Sequence, residues 1–170
     1  HVDGSMRPTQ EDYDRYLWLV QRGRKLKWDE ELMSVNRPFE VADPTMTFIL
    51  LRASRDLLYM AEALDIDNIE ISEWCSKLRE GIETLRNPDG QFLNAINCRT
   101  DEHSGNITSA SFLNWYAGID DDETLKILIK TLEEARYPIP SLSINSEKFD
   151  GMRYWRGPTW AVLNSLVGIG

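Results

Sequence analysis

The sequence predicts an all-α protein built of α/α hairpins in which outer and inner helices alternate. Three observations carry this. Six stretches repeat apolar residues at helical spacing. These stretches alternate between one apolar stripe and an apolar character on more than one face. Long connections, on the order of 20 residues, precede the second, fourth and sixth helix, whereas only a few residues precede the third and fifth. A helix apolar all round must be covered on both sides, so the alternation describes an inner layer shielded by an outer one. A simple four-helix bundle would show single stripes throughout, and no residue pattern recurs at the fixed period of a solenoid.

The first helix, from about Thr9 to Arg24, opens on a capping-box-like Thr9 and Asp12 and carries one stripe of Tyr13, Tyr16, Leu17 and Val20. It reads as an outer helix. The second starts at Asp43-Pro44, an N-cap followed by proline at the first helical position. Met46, Ile49, Leu50, Leu57, Met60 and Leu64 line one face, and Phe48, Leu51 and Leu58 spill onto another, so it reads as inner. The third, Ile69 to Arg86, returns to one stripe with Ile71, Trp74, Cys75, Leu78, Ile82 and Leu85. The fourth, Ser109 to Ile119, has no charged side chain before Asp120. The fifth, capped by Asp120-Asp121-Asp122, sets Leu125, Leu128, Ile129 and Leu132 among charges, and the last, Pro158 to Val167, is apolar throughout. This pattern places Leu50, Leu57, Phe112, Trp115, Val162 and Leu166 in the interior and Glu80, Glu83, Lys126 and Lys130 in water.

The long connections are Lys27 to Ala42, Asn87 to Thr108 and Tyr137 to Gly157; hairpins lying side by side gather them on one face. Long loops at one end of a helical scaffold are a usual place for binding and catalysis. The middle loop is expected to hold a turn at Pro88-Asp89-Gly90 and a strand over Gln91 to Ile96.

Composition narrows the function. The 170 residues are 42% apolar and carry a net charge of -9, with basic side chains mixed among acids, which disfavours a nucleic-acid surface. No stretch approaches the roughly 18 apolar residues of a membrane span, and no leader-like start is present, so a cytoplasmic location is expected. Cys75 and Cys98 lack metal-ligand spacing and read as free thiols. His103 is the sole histidine away from the N-terminus, which leaves no cluster for zinc and no Ser-His-Asp set, and no cofactor is called for. Asn106-Ile107-Thr108 matches a glycosylation sequon but says nothing without secretion.

The chemistry concentrates in Tyr154-Trp155-Arg156-Gly157-Pro158-Thr159-Trp160. Aromatic faces stack on the apolar face of a pyranose, a guanidinium offers paired donors to hydroxyl or carboxylate oxygens, and glycine admits a close backbone approach. Tyr154, Trp155, Arg156, Gly157 and Trp160 are therefore the candidate substrate-binding residues; a core aromatic cluster ahead of a helix is the bland reading of the same string. This run followed by Asn164, together with Tyr137-Pro138-Ile139-Pro140-Ser141 and Pro38-Phe39-Glu40-Val41-Ala42-Asp43-Pro44, resembles the mannosylglycerate hydrolase-like glycoside hydrolases, relatives of the processing α-glucosidases and trehalase. The resemblance extends over nearly all of the chain. It implies a barrel of six α/α hairpins, (α/α)6, that hydrolyses an α-glycosidic bond with inversion.

Three hairpins are half of that ring, so residues 1–170 are expected to be the central portion of a larger catalytic domain, with exposed inner-helix edges open to self-association. The start at His1 without methionine agrees. Inversion needs a carboxylic acid and a carboxylate about 6.5 to 9.5 Å apart on opposite sides of the sugar. The resemblance implies an Asp in a Gly- and Trp-containing motif before the Met6-Arg7-Pro8-Thr9 region and a Glu beyond the last helix, and neither motif is present, so no catalytic residue is assigned. Of the acids near the long loops, Asp43 reads as an N-cap, Asp150 as a turn residue before Gly151, and Glu40, Glu102 and Glu147 as solvated loop acids. Two alternatives remain: a non-catalytic helical module binding a carbohydrate or protein, and a sugar epimerase, which the lack of several loop histidines weakens.

Overall fold

Capping chemistry decides where most of the helices begin. The computed structural model describes Gly4, residues 7–35 and residues 37–170, in two units, His1–Glu40 and Val41–Gly170.

In the first unit, α1 (Gln10–Lys25) starts at a reciprocal capping box. The Asp12 N–H donates to Thr9 Oγ1 at 3.2 Å and the Thr9 N–H to the Asp12 carboxylate at 2.9 Å. Hydrogen bonding from the Thr9 hydroxyl, then from its backbone, holds the Asp12 carboxyl below its ordinary range. The helix ends in a Schellman turn: Trp28 N–H donates to Gly23 O at 2.9 Å and Lys27 N–H to Arg24 O at 3.1 Å, with Lys27 at φ 54° and Trp28 at φ 58°. The Trp28 ring then lies on Gly23, where a Cβ would come within 2.3 Å of it. The first long connection contains α2 (Glu30–Ser34), capped by Asp29, which accepts from Leu32 N–H at 3.0 Å. Its acidic first turn after an Asp N-cap was a legible helix start.

In the second unit, α3 (Pro44–Ala63) begins where expected, with Asp43 accepting from Met46 N–H at 3.2 Å and Pro44 at the first position. It packs on α4 (Ile69–Ile82), which continues as a 3-10 turn over Glu83–Leu85. Phe48 and Leu51 of α3 join Ile82, Leu85, Leu93, Leu113 and Ala117 in the core, with Leu163, Leu166 and Val167 of the last helix against it. Phe112 is buried, Trp115 and Leu166 are half-buried, and Glu80, Glu83, Lys126 and Lys130 face water as the pattern requires. Leu50, Leu57 and Val162 correct it: they are 54%, 44% and 65% exposed. The cause is one-sided cover. Residues Phe48, Leu51 and Ser54 meet the core, while the stripe Met46, Leu50, Leu57, Met60 and Leu64 keeps about half or more of its surface in solvent.

The fourth expected helix is also corrected. Ser109–Phe112 is a 3-10 turn followed by further turns to Gly118, which sits at φ 69°. Side chains compete with the helical ladder here: Ser111 Oγ accepts from Thr108 N–H at 3.1 Å, and Asn114 Nδ2 donates to Ile119 O at 2.9 Å. The burial expected of an inner element still holds, since residues Ser109 to Asn114 are all buried. The last helix, α6 (Ala161–Ile169), starts later than Pro158 because Pro158 O accepts from Ser141 N–H at 3.0 Å and Thr159 bridges Pro140. A short antiparallel sheet joins β1 (Val41–Ala42), β2 (Ile96–Asn97) and β3 (Glu102–His103) in the order β1-β2-β3. The expected strand over Gln91 to Ile96 shrinks to its last residue plus an Arg86–Leu93 bridge, though the turn is present, with Gly90 at φ 73°. Cys75 is buried and Cys98 exposed, both as free thiols, and no described helix is long and apolar enough to cross a membrane.

The start of α5 (Asp122–Glu134) carries the most enclosed ion pair among those found between described residues. Asp121 accepts from Thr124 N–H at 2.9 Å and from Arg86 Nη2 at 2.6 Å. Burial pushes its carboxyl up, but the Thr124 N–H and the Arg86 guanidinium together outweigh burial and leave it below the usual carboxylate range. A carboxyl depressed in the fold stabilises above its unfolded pKa, and that contribution disappears as pH falls through the folded value. Asp121→Ala is expected to cost about 2–4 kcal/mol in urea melts at neutral pH, from a lost cap and a half-buried arginine left with only the exposed Glu83 as its partner. The difference from wild type should shrink below about pH 4, near the unfolded carboxyl value. At the end of α1, Lys27→Gly should stabilise by about 0.5–1 kcal/mol, since glycine adopts the left-handed conformation without the Cβ penalty. Thermal melting checks the sign.

Candidate functional site

Within the second unit the long loops are stitched together by buried amides. Asn87 Oδ1 accepts from Gln91 N–H at 2.8 Å and Phe92 N–H at 2.9 Å, closing the turn that opens the middle loop. Asn94, fully buried, accepts at Oδ1 from Gly105 N–H at 3.0 Å and from Ser104 Oγ at 3.1 Å. A backbone N–H can only donate, so Nδ2 faces Leu85 O at 3.1 Å and His103 Nδ1 at 3.0 Å. His103 therefore accepts at Nδ1, and its neutral ring carries the proton on Nε2.

The middle and last long loops run together. Ser143 N–H donates to Ile107 O at 2.9 Å, Thr108 bridges Leu142, and Ser146 Oγ donates to Asn106 Oδ1 at 3.1 Å. The end of the first long connection reaches the same region through β1, paired to β2. The gathering of loops expected from the alternation is present for these segments. A polar cleft of 350 Å³ lies between them, lined by Ser104, Asn106, Ser143, Ser146 and Glu147 among others.

At the end of the last long loop stand the candidate binding residues. Tyr154, Trp155 and Trp160 form one aromatic cluster, with ring centroids 5.1 Å apart for Tyr154–Trp155, 4.2 Å for Tyr154–Trp160 and 5.3 Å for Trp155–Trp160. Tyr154 and Trp155 are 61% and 63% exposed, so the cluster is a surface platform and does not belong to the core. Trp160, half-buried, donates from Nε1 to Tyr154 O at 3.0 Å. Arg156 is exposed, and its guanidinium makes no hydrogen bond or ion pair to the described residues; its backbone closes the loop, with O accepting from Asp150 N–H at 2.8 Å. Gly157 is required where it stands: a Cβ would come within 2.4 Å of Asp150 O, and its N–H donates to Ser141 Oγ at 3.0 Å. Gly157 also borders a more apolar cleft of 630 Å³, with Tyr137, Pro138, Phe149 and Pro158.

The loop acids have structural partners. Asp43 caps α3, Asp150 accepts from Met152 N–H at 2.9 Å and pairs with Arg153, Glu40 pairs with Arg37 at 2.7 Å, and Glu102 accepts from Thr100 Oγ1 at 3.0 Å. Glu147 is exposed on the polar cleft. No group of His, Cys, Asp or Glu among the described residues is arranged to hold a metal ion. Sequence reasoning overlooked the supports beneath the platform, Ser141 and Asn164. Both stand in the strings that carried the resemblance, but an Asn inside an apolar helix gives no further signal of what it bonds.

The whole chain, residues 1–170, matches the family described as "Mannosylglycerate hydrolase MGH1-like glycoside hydrolase domain". It is 37% identical over 174 residues to a mannosylglycerate hydrolase of Thermus thermophilus, covering 100% of this chain and 42% of the relative. It is 35% identical over 176 residues to the mannosylglycerate hydrolase MGH1 of Selaginella moellendorffii, covering 100% of this chain and 36% of the relative. Among solved structures, a GH63 mannosylglycerate hydrolase of Thermus thermophilus in complex with Tris and D-glycerate superposes with a TM-score of 0.88 at 36% identity, over 99% of this chain and 42% of that one. The chain thus spans about two-fifths of the length of these relatives. A match of this extent, carried through the aromatic platform and its loop, means that the chain belongs to the mannosylglycerate hydrolase-like family of glycoside hydrolases.

Proposed function

We propose that residues 1–170 form the central portion of the catalytic domain of an inverting α-glycosidase that acts on a small α-linked substrate of the mannosylglycerate or glucosylglycerate kind. The observation that carries this reading is the exposed platform of Tyr154, Trp155 and Trp160 beside the exposed Arg156, in a chain belonging to this family. Family relatives named as hydrolases of mannosylglycerate and glucosylglycerate support the substrate class. The helical hairpins are read as part of an (α/α)6 ring, and the uncovered stripe of Met46, Leu50, Leu57, Met60 and Leu64 as a face that the rest of the ring covers. Left bare, that stripe would favour self-association. A cytoplasmic location fits a substrate of this type.

In this reading Tyr154 and Trp155 stack on the sugar, Arg156 hydrogen-bonds its hydroxyls or the carboxylate of the aglycone, and Trp160 buttresses both rings. Hydrolysis breaks the bond between the anomeric carbon and the glycosidic oxygen. A carboxylic acid gives its proton to that oxygen, and a carboxylate takes one from the water that attacks the opposite face. Both carboxyl groups are assigned to sequence outside these residues, because the loop acids are engaged in caps, turns and ion pairs or lie solvated.

Two outcomes test the reading. The isolated 170-residue chain should not turn over mannosylglycerate, trehalose or α-glucosyl disaccharides; turnover abolished by Asp150→Asn or Glu147→Gln would relocate the chemistry. In the full-length enzyme, Trp155→Ala and Arg156→Ala should each lower kcat/KM by roughly ten- to a hundredfold with little change in melting temperature. A variant that melts early while its folded fraction keeps wild-type kinetics would mark a packing anchor instead.

A further inference from the structure

An exposed aromatic cluster cannot be held by burial, so something beneath it must fix its geometry. Tyr154 and Trp155 have most of their surface in solvent. Among the described residues, Tyr154 is tied to the scaffold by Trp160, whose Nε1 donates to Tyr154 O at 3.0 Å. Trp160 is in turn the residue that leads into α6, at φ -97° and ψ 116°, and no side chain of its own caps that helix.

The side chain that fills this role is Asn164, one turn further on. Its Oδ1 accepts from Ile139 N–H at 2.9 Å, which fixes the amide orientation. Nδ2 then donates both to Ile139 O at 2.9 Å and to Trp160 O at 3.0 Å. One amide thus clamps both backbone groups of a buried loop residue and joins the Asn164 backbone N–H, at 3.1 Å, in holding the Trp160 carbonyl. Ser141 N–H to Pro158 O at 3.0 Å, and Gly157 N–H to Ser141 Oγ at 3.0 Å, complete the attachment of the two strands of the loop. Asn164 touches none of the three rings through these bonds; it acts through Trp160.

We propose that Asn164 is a positioning residue for sugar recognition: by locking Trp160 O to Ile139, it sets the orientation of the Trp160–Tyr154–Trp155 platform. This rests on the sugar-binding reading of the platform. No donor other than an amide at this length reproduces the set. Aspartate keeps the acceptor for Ile139 N–H but turns a second oxygen toward two carbonyls, and leucine leaves both Ile139 groups unpaired in a buried place.

The test uses the full-length enzyme with Asn164→Asp, Asn164→Leu and Trp160→Phe. Trp155 and Trp160, 5.3 Å apart and tilted by 37°, should give an exciton couplet in far-ultraviolet circular dichroism. The expected result is a couplet diminished in Asn164→Asp while the helical signal and the cooperative melt persist, with kcat/KM lowered about tenfold, the scale of a lost aromatic–sugar contact. The product monosaccharide should inhibit the variant correspondingly less well. Adding Asn164→Asp to Trp160→Phe should cost less than it does in the wild type, because the two changes act on one path. An unchanged couplet, or a diminished couplet with wild-type sugar affinity in the folded fraction, overturns the proposal. If Asn164→Leu fails to fold, Asn164→Asp and the cycle with Trp160→Phe decide it. Absence of turnover by the wild type overturns the functional reading instead, and the couplet still reports whether Asn164 sets the platform.

Discussion

Every long loop laid against a helical core must find partners for its backbone N–H and C=O groups, and the organisation of the second unit follows from how that demand is met. The loops are too irregular for ladders of any length; the sheet offers only two residues per strand. Asparagine side chains take over, since one amide supplies an acceptor and two donors at short reach. Asn87 closes a turn, Asn94 ties Leu85 to Ser104 and Gly105, and Asn164 clamps Ile139. Asn94 and Asn164 are thereby satisfied at both ends, and each of the three amides fixes one segment of the loop face.

The scaffold under the loops is unequal on its two sides. Phe48 and Leu51 are fully enclosed with Ile82 and Leu85, which makes the contact of α3 with α4 the firm part of the structure. The opposite stripe of α3 is as apolar in sequence and stays in solvent within its unit. A face of that length costs on the order of 25 cal/mol for every Å² left wet.

The aromatic platform reverses the usual logic of tryptophan. Three large rings crowd one another at centroid distances of 4.2 to 5.3 Å, yet two of them keep more than half their surface in water. Packing economy would have turned them inward. Their exposure is what sets them apart from a core cluster, and it could be seen only once side-chain positions were known.

Local chemistry in the sequence determined a good deal. The starts of α1, α3 and α5 follow from Thr9, from Asp43 with Pro44, and from Asp121, because an N-cap satisfies donors within three residues of itself. The strings from Pro38 to Pro44, from Tyr137 to Ser141 and from Tyr154 to Trp160 with Asn164 carried the family resemblance, and the last of them the candidate binding residues. Tertiary structure decided what depends on partners distant in sequence. Pro158 was legible as a helix start, but Ser141 draws it into extended pairing 17 residues away. Ser109 to Ile119 carries a helix's apolar content, but Ser111 and Asn114 bond the backbone and break it into turns. Leu50 and Leu57 have the spacing of a buried stripe, but spacing fixes only which residues share a face. Whether that face meets protein or water is settled by what packs against it.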